Sequence, residues 1–237
     1  MADTYQFGLP LVAAAQAQKH VTVNESIALL DAVTQLRVVS STTTTPPVSA
    51  QDGTAYHVPV GATGDWATHE GEIAVVTNGA WRYVVPKTGW QMFNEELGIN
   101  QLFDGTNWLD CALASTLNGS SIQYKIDEID HTISAGASST TITAIPANAQ
   151  VIGVTGRVIQ EITGSLTSWQ LGVSGALNRY GSGLGLLNNS FTLGLTGAPV
   201  TYYSATALEL TADGGTFTDG IVRLAVQYIT LTPPRAV

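Results

Sequence analysis

The sequence predicts a mainly β protein with a short N-terminal helical segment, a small β-hairpin module and a C-terminal β-sandwich of jelly-roll type. Three observations carry this. Short apolar runs at period two, separated by Gly-rich turns, fill most of the chain. Two hairpin signals, Asn78-Gly79 and Asp104-Gly105, stand between apolar runs. Helical spacing of three and four is confined to residues 1–37.

The N-terminal piece comes first. Leu11–Lys19 contains good helix formers but a narrow apolar stripe. After it, Asn24 reads as an N-cap with Glu25 in the first turn. Ile27, Leu30 and Val33 then recur at spacing three, widened by Leu29 and Leu36, which predicts a helix ending near Gln35. So short a helix needs a partner surface. Residues 38–50 read as a strand end and a Pro-terminated loop. Along 52–60 the alternation places Tyr56 and Val58 on one face. Residues 72–85 and 99–113 read as two hairpins. Residues 114–126 read as a linker or neck. Beyond it, Ile152, Val154, Val158 and Ile162 face one way while Thr155, Arg157 and Glu161 face the other. Trp169, Leu171 and Val173 fall together, and 217–232 continues the pattern. The expected division is 1–37 as an anchor and oligomerisation segment, 38–113 as the hairpin module, 114–126 as neck and 127–237 as the sandwich.

Composition narrows the function. Nine Lys and Arg stand against 18 Asp and Glu, a net charge of −9. That disfavours nucleic acid, which requires a basic footprint, and anionic membranes. Charged residues make up 11%, against about 25% in ordinary soluble domains. A surface so poor in charge fits one covered by sister subunits. The single Cys111 forms no internal bridge. Neither an export signal nor an apolar run of membrane-spanning length is visible, so release by cell lysis is the expected exit from a bacterial cytoplasm.

Candidate chemistry is sparse. Lys19 and His20 lie in no recognisable catalytic motif and read as a polar contact at a subunit junction. His57, His69 and His131 lack metal-ligand spacing, and no metal or cofactor is expected. Glu70/Glu72, Glu95/Glu96 and Asp127/Glu128/Asp130 are the carboxylate groupings, read as solvated turn residues rather than the converging pair of a glycoside hydrolase. Asp213 with Asp219 reads as a turn. RYGSGLGLL (179–187) is either a loop with unusual backbone angles or a close approach to a ligand or neighbouring chain. The aromatics are more telling. Trp169, Tyr180, Tyr202 and Tyr203, with Asn178, Arg179, Asn188 and Asn189 nearby, match the apolar face and hydroxyl rim of a sugar. Trp169 equally fits a core position, in phase with Leu171. The expected glycan contacts are Trp169, Asn178, Arg179, Tyr180, Tyr202 and Tyr203.

The motifs LPLVAAAQAQKHVTVNESIALLDAV, PPVSAQDGTAYHVPVGATGDWATHEGEIAVVTNGAWRYVVPKTGW and LFDGTNWLDC, in this order across residues 8–111, resemble an alphaproteobacterial family found in prophages and gene transfer agents. IPANAQVIGVTGRV, RYGSGLGL and TYYSATALELTADGGTF resemble the terminal domain that often follows. The resemblance implies a head spike or fibre on the surface of a phage-like particle that attaches to capsular polysaccharide without cutting it. It implies a homo-oligomer, trimeric or pentameric, joined to a spike base through residues 1–37. Two other readings are a polysaccharide-degrading spike enzyme and a purely structural connector. The resemblance hands over no sugar-contact motif.

Overall fold

The computed structural model describes residues 3–12 and 19–236. It is mainly β, and the described residues form two compact units. The first runs to Ser121 and includes the tail from Pro233; the second is Ile122–Thr232.

In the first unit, α1 (Lys19–Thr34) precedes β1 (Arg37–Val38), β2 (Ala55–His57), β3 (Ile73–Thr77), β4 (Ala80–Val84), β5 (Gln91–Asn94), β6 (Ile99–Phe103), β7 (Trp108–Asp110) and β8 (Ala112–Ser115). Two small sheets form, β1-β5-β6-β7 and β2-β3-β4. Strand β3 is buried on both faces. Ile73 and Val75 pack with Ala32, Leu36, Val38 and Met92, while Ala74 packs with Tyr56, Val58 and Trp66. The β3–β4 hairpin follows its turn signal. Thr77 pairs Ala80, and Asn78 and Gly79 take φ of 52° and 70°, the left-handed pair that a two-residue type I′ turn demands.

The helix departs from expectation. It already begins at Lys19, so Asn24 lies inside it and is not its N-cap. The Asn24 amide instead bonds both backbone groups of Val12, Oδ1 accepting from the N–H at 2.8 Å and Nδ2 donating to the C=O at 3.0 Å. The expected stripe is also displaced. Leu29, Ala32 and Leu36 face the core, and Leu30 is 60% exposed. The cause is Asp31, seated beside that face. Its buried carboxylate accepts from the Thr4 hydroxyl and from the Gln6 and Phe7 N–H groups, so the helix turns this side inward to hold residues 4–7. The expectation for Leu11–Lys19 lies largely outside the described residues, and that for the side chains of Lys19 and His20 wholly so.

The 99–113 hairpin differs in its turn. Strands β6 and β7 pair up to Phe103 and Trp108, leaving a four-residue loop, 104–107. Asp104 Oδ1 accepts from the N–H groups of Thr106 and Asn107, both at 2.8 Å. Its Oδ2 accepts from Arg235 Nη1, while Arg235 Nη2 donates to Leu117 O and the Arg235 N–H to Asn118 O. A buried carboxylate thus closes the loop and captures the chain's tail. Residues 114–126, read as a neck, hold the end of β8, a turn closed by Gly119 N–H to Thr116 O, and the start of the next strand.

The second unit contains β9 (Ser121–Thr132), β10 (Ser138–Ile145), β11 (Ala149–Gly164), β12 (Ser168–Val173), β13 (Ala176–Leu184), β14 (Phe191–Thr192), β15 (Leu195–Tyr202), β16 (Thr206–Asp213) and β17 (Phe217–Thr232). One sheet runs β10-β16-β12-β13. The other runs β14-β11-β17-β9, with β15 also on β11. Counting β14 and β15 as one interrupted strand, successive strands alternate between the sheets except at the β12–β13 hairpin, which lies within one sheet, the order of a jelly roll. The interruption is Gly194, with φ of +43°; a Cβ there would stand 1.9 Å from Val154 O. The core between the sheets joins Val151, Val154, Val158 and Ile162 of β11 and Val222, Leu224 and Val226 of β17 to Trp169, Leu171, Leu208 and Leu210. Ile152, expected to share this inward row, is only half-buried, because register shifts break the β11–β17 pairing between Val151 and Gly153 and again after Val158.

Arg235→Ala leaves the buried Asp104 carboxylate short of its charged donor. The expected outcome is a loss of about 2 kcal/mol in unfolding free energy, with Arg235→Lys recovering part of it because a lysine lacks the fork. Thermal unfolding of the full chain measures this, and unchanged melting for R235A contradicts it.

Candidate functional site

The expected glycan residues are only partly brought together, and two of them face inward. Trp169, on β12, is 2% exposed, and its ring N–H donates to Gly185 O at 3.0 Å. Tyr180, on β13, is 1% exposed. Its hydroxyl lies 2.7 Å from that of Tyr202, the last residue of β15. Burial, then the Tyr202 contact, pushes the Tyr180 phenol far above its ordinary range. As contacts for an outside ligand, Trp169 and Tyr180 are therefore corrected to core residues. The reason is strand phase: both share the inward side with Leu171 and Leu210. Asn178 and Arg179 are exposed on β13, Tyr202 is half-buried, and Tyr203 is 83% exposed. The Tyr180–Tyr202 bond ties the strand carrying Asn178 and Arg179 to the segment carrying Tyr203.

The Gly-rich stretch 179–187 lies mostly within β13. Gly183 takes φ of +63° with open space around its Cβ position, and the Gly185 carbonyl serves the Trp169 indole. The close approach here is to the protein's own core.

The outer face of the second sheet holds features that sequence reasoning passed over. Arg157 lies 5.3 Å from the Phe191 ring centroid and donates to Asn189 O. Arg223 grips Asp130 with two bonds, of 2.7 and 2.8 Å, which hold the Asp130 carboxyl below its ordinary range. A hollow of about 420 Å³ lies among Arg157, Phe191, Leu193, Arg223 and Glu128. Beside it, Phe191, Leu193 and Leu195 are each more than half exposed, an apolar edge on a sheet rim. The outward phase of Arg157 was legible in the sequence; its ring partner 34 positions later was not.

The carboxylates read as solvated turn residues stay largely exposed, and several of them also hold partners. Glu96 accepts from Ser40 and Thr42, and Glu95 pairs Arg37 at 3.1 Å. Glu70 accepts from the Gly61 N–H, and Glu72 meets His69. Asp127 accepts from Tyr228, and Asp213 from Ser168 and Gln170. Among the described residues no group of three His, Cys, Asp or Glu is arranged to hold a metal ion. His131 Nε2 lies 2.8 Å from Ser139 Oγ, a base–nucleophile spacing. Ser139 is buried, however, and its oxygen already accepts from the Ser134 N–H.

Residues 23–109 match a family model described as "Protein of unknown function (DUF2793)". A similar solved chain belongs to a structure titled "Cyanophage Pam1 capsid asymmetric unit". It is 27% identical, and the alignment covers 47% of this chain and 84% of that one at a TM-score of 0.31, too low to carry a structural argument. No curated protein matches the chain. No helix among the described residues is long and apolar enough to cross a membrane.

Burial holds the rings of His57 and His131 below the ordinary imidazole range. A lowered imidazole pKa makes the folded state prefer the neutral ring. Stability is then complete above about pH 6.5 and declines as the pH falls below it. Asp31 and Asp104, also lowered, add their loss only below about pH 4. The melting temperature is expected to fall between about pH 7.5 and pH 5.5, with the fall reduced in His131→Gln.

Proposed function

We propose that this chain is a non-catalytic attachment protein of a phage-like particle, acting as a surface spike or fibre. Its first unit anchors it and its jelly roll meets a capsular polysaccharide. The observation that carries the reading is the second unit itself: a two-sheet jelly roll whose apolar residues fill the core while Asn178, Arg179 and Tyr203 stay outside it. Guanidinium, amide and phenol side chains on a rigid sheet suit the hydroxyls and acidic groups of a glycan. The motif resemblance over 8–111 supports the particle context, and the family match falls inside that stretch.

Two uncovered apolar surfaces support assembly. Val23 and Leu30 of α1 are exposed on the helix, and Phe7, Leu9 and Val12 are exposed in the segment before it. The expected anchor, residues 1–37, therefore carries apolar area beyond what its own unit covers. The edge of Phe191, Leu193 and Leu195 suits a sister subunit in a trimer or pentamer. Assembly matters to function because weak single sites on several copies multiply into firm adsorption.

The enzyme reading requires two carboxyls facing one sugar. The carboxylates of the second unit described above are instead held by Arg223, Tyr228, Ser168 and Gln170, which supports binding without cleavage. A purely structural connector predicts no glycan affinity.

Particles carrying Arg179→Ala with Tyr203→Ala are expected to adsorb to encapsulated cells at least about tenfold less than wild type, since avidity amplifies each single-site loss. Equal adsorption overturns the reading, and shortening of purified capsule by the wild-type protein favours the enzyme. Leu193→Asp with Leu195→Asp is expected to lower the oligomer mass seen by light scattering, with the jelly roll still folded by circular dichroism. An unchanged mass removes that edge from the assembly.

A further inference from the structure

The first unit contains a hollow that the attachment reading does not use. It measures about 360 Å³, within the range of small-ligand pockets and larger than one sugar ring. Trp108, Phe103 and Met92 line it with the His57 ring, Gln101 and Ser41, and Asn107 and Thr106 reach it from the β6–β7 loop. The wall is fixed from behind. Met92 is 1% exposed in the core beneath α1. Phe103 and Trp108 pack 5.1 Å apart at a tilt, and His57 meets Trp108 edge-on at 6.2 Å. The loop is fixed as well, because the buried Asp104 carboxylate holds the N–H groups of Thr106 and Asn107.

Two features define what the hollow can accept. Among the described residues no Asp, Glu, Lys or Arg lines it, and burial lowers the His57 pKa, favouring the neutral ring. A charged ligand would enter without a counter-charge, at a desolvation cost nothing there offsets. Trp108 itself is half-exposed, but its Nε1 is buried and meets no acceptor among the described residues. The part of the indole that reaches solvent is therefore hydrocarbon rather than the N–H donor. That suits stacking against C–H groups, with hydrogen bonding left to Asn107, Thr106 and the imidazole.

We propose that this hollow is a binding site for an uncharged pyranose, a neutral hexose or N-acetylhexosamine unit of a saccharide. One face of the ring lies on Trp108 and Phe103, and its hydroxyls meet the Asn107 amide and Thr106 hydroxyl. The site lies in a different unit from Arg179 and Tyr203. It takes uncharged sugars where Arg179 suits acidic ones. It goes beyond the attachment reading and does not depend on it.

The test uses the full chain and methyl glycosides of glucose, galactose and N-acetylglucosamine, with methyl glucuronide as the charged comparison. Binding is read from the indole N–H resonance of Trp108, assigned with Trp108→Phe, and from the His57 ring protons. Saturable shifts with at least one neutral glycoside are expected, with a Kd at least about tenfold lower than for the glucuronide. Asn107→Ala, an exposed loop change that leaves the backbone bonds to Asp104 in place, is expected to weaken binding about tenfold. Arg179→Ala with Tyr203→Ala is expected to leave it unchanged. Absence of shifts with all three neutral glycosides, equal binding of the glucuronide, or an unaltered Kd in N107A each overturns the proposal. Loss of adsorption in R179A/Y203A particles with normal shifts at Trp108 separates this site from the attachment reading.

Discussion

A buried carboxylate must find donors or give up its charge, and the first unit is organised around that requirement. Asp31 and Asp104 are each about 2% exposed. Each collects backbone N–H groups that no strand or helix satisfies, and each is held ionised because those donors outweigh the penalty of burial. Asp31 fastens the N-terminal segment to α1. Asp104 folds the β6–β7 loop and receives Arg235 from the chain's tail. The two small sheets have little area of their own, so these internal anions decide where both ends of the unit lie. The same economy explains how a chain with few charges stays specific: many of its acidic groups act as fasteners.

The jelly roll works by a different rule. Its strands lie in two sheets packed face to face, so each side chain's fate follows from strand phase. Trp169 and Tyr180 belong to the inward set and bind one another's neighbourhood, Gly185 and Tyr202, rather than a ligand. What remains outside is Asn178 and Arg179 on β13, Tyr203 just past the end of β15, and an apolar rim at β14 and β15. Both sets arise from the same folding constraint, on different elements.

Much of this was legible in the sequence because it is local. Asn78-Gly79 specified a two-residue turn through its backbone angles alone. The phase of Val154, Val158, Trp169, Leu171 and Val173 marked the core side, and the order of β elements gave the sandwich. What escaped depends on partners far along the chain. Asn24 looks like a cap until Val12 occupies its amide. Leu30 fits the apolar stripe of α1, and only the seating of Asp31 turns it outward. Tyr180 follows an Arg in a Gly-rich run and reads as surface, but its partner Tyr202 is 22 residues away. Arg235 and Asp104 are separated by 131 positions, and no periodicity links them. The hollow at Trp108 draws on β2, β5, β6 and β7 together, so no single stretch announces it.

The chain leaves the first unit after Ser121 and returns to it after Thr232. Those two points belong to neighbouring strands, β9 and β17, and Gln123 bonds both Thr230 and Thr232. The jelly roll is therefore an insertion with its entrance and exit side by side. Any sheet domain whose first and last strands pair could be spliced between the same two residues without disturbing α1, the small sheets or the seat of Arg235. Such a doorway lets the jelly roll be exchanged as a whole while the first unit keeps its own contacts.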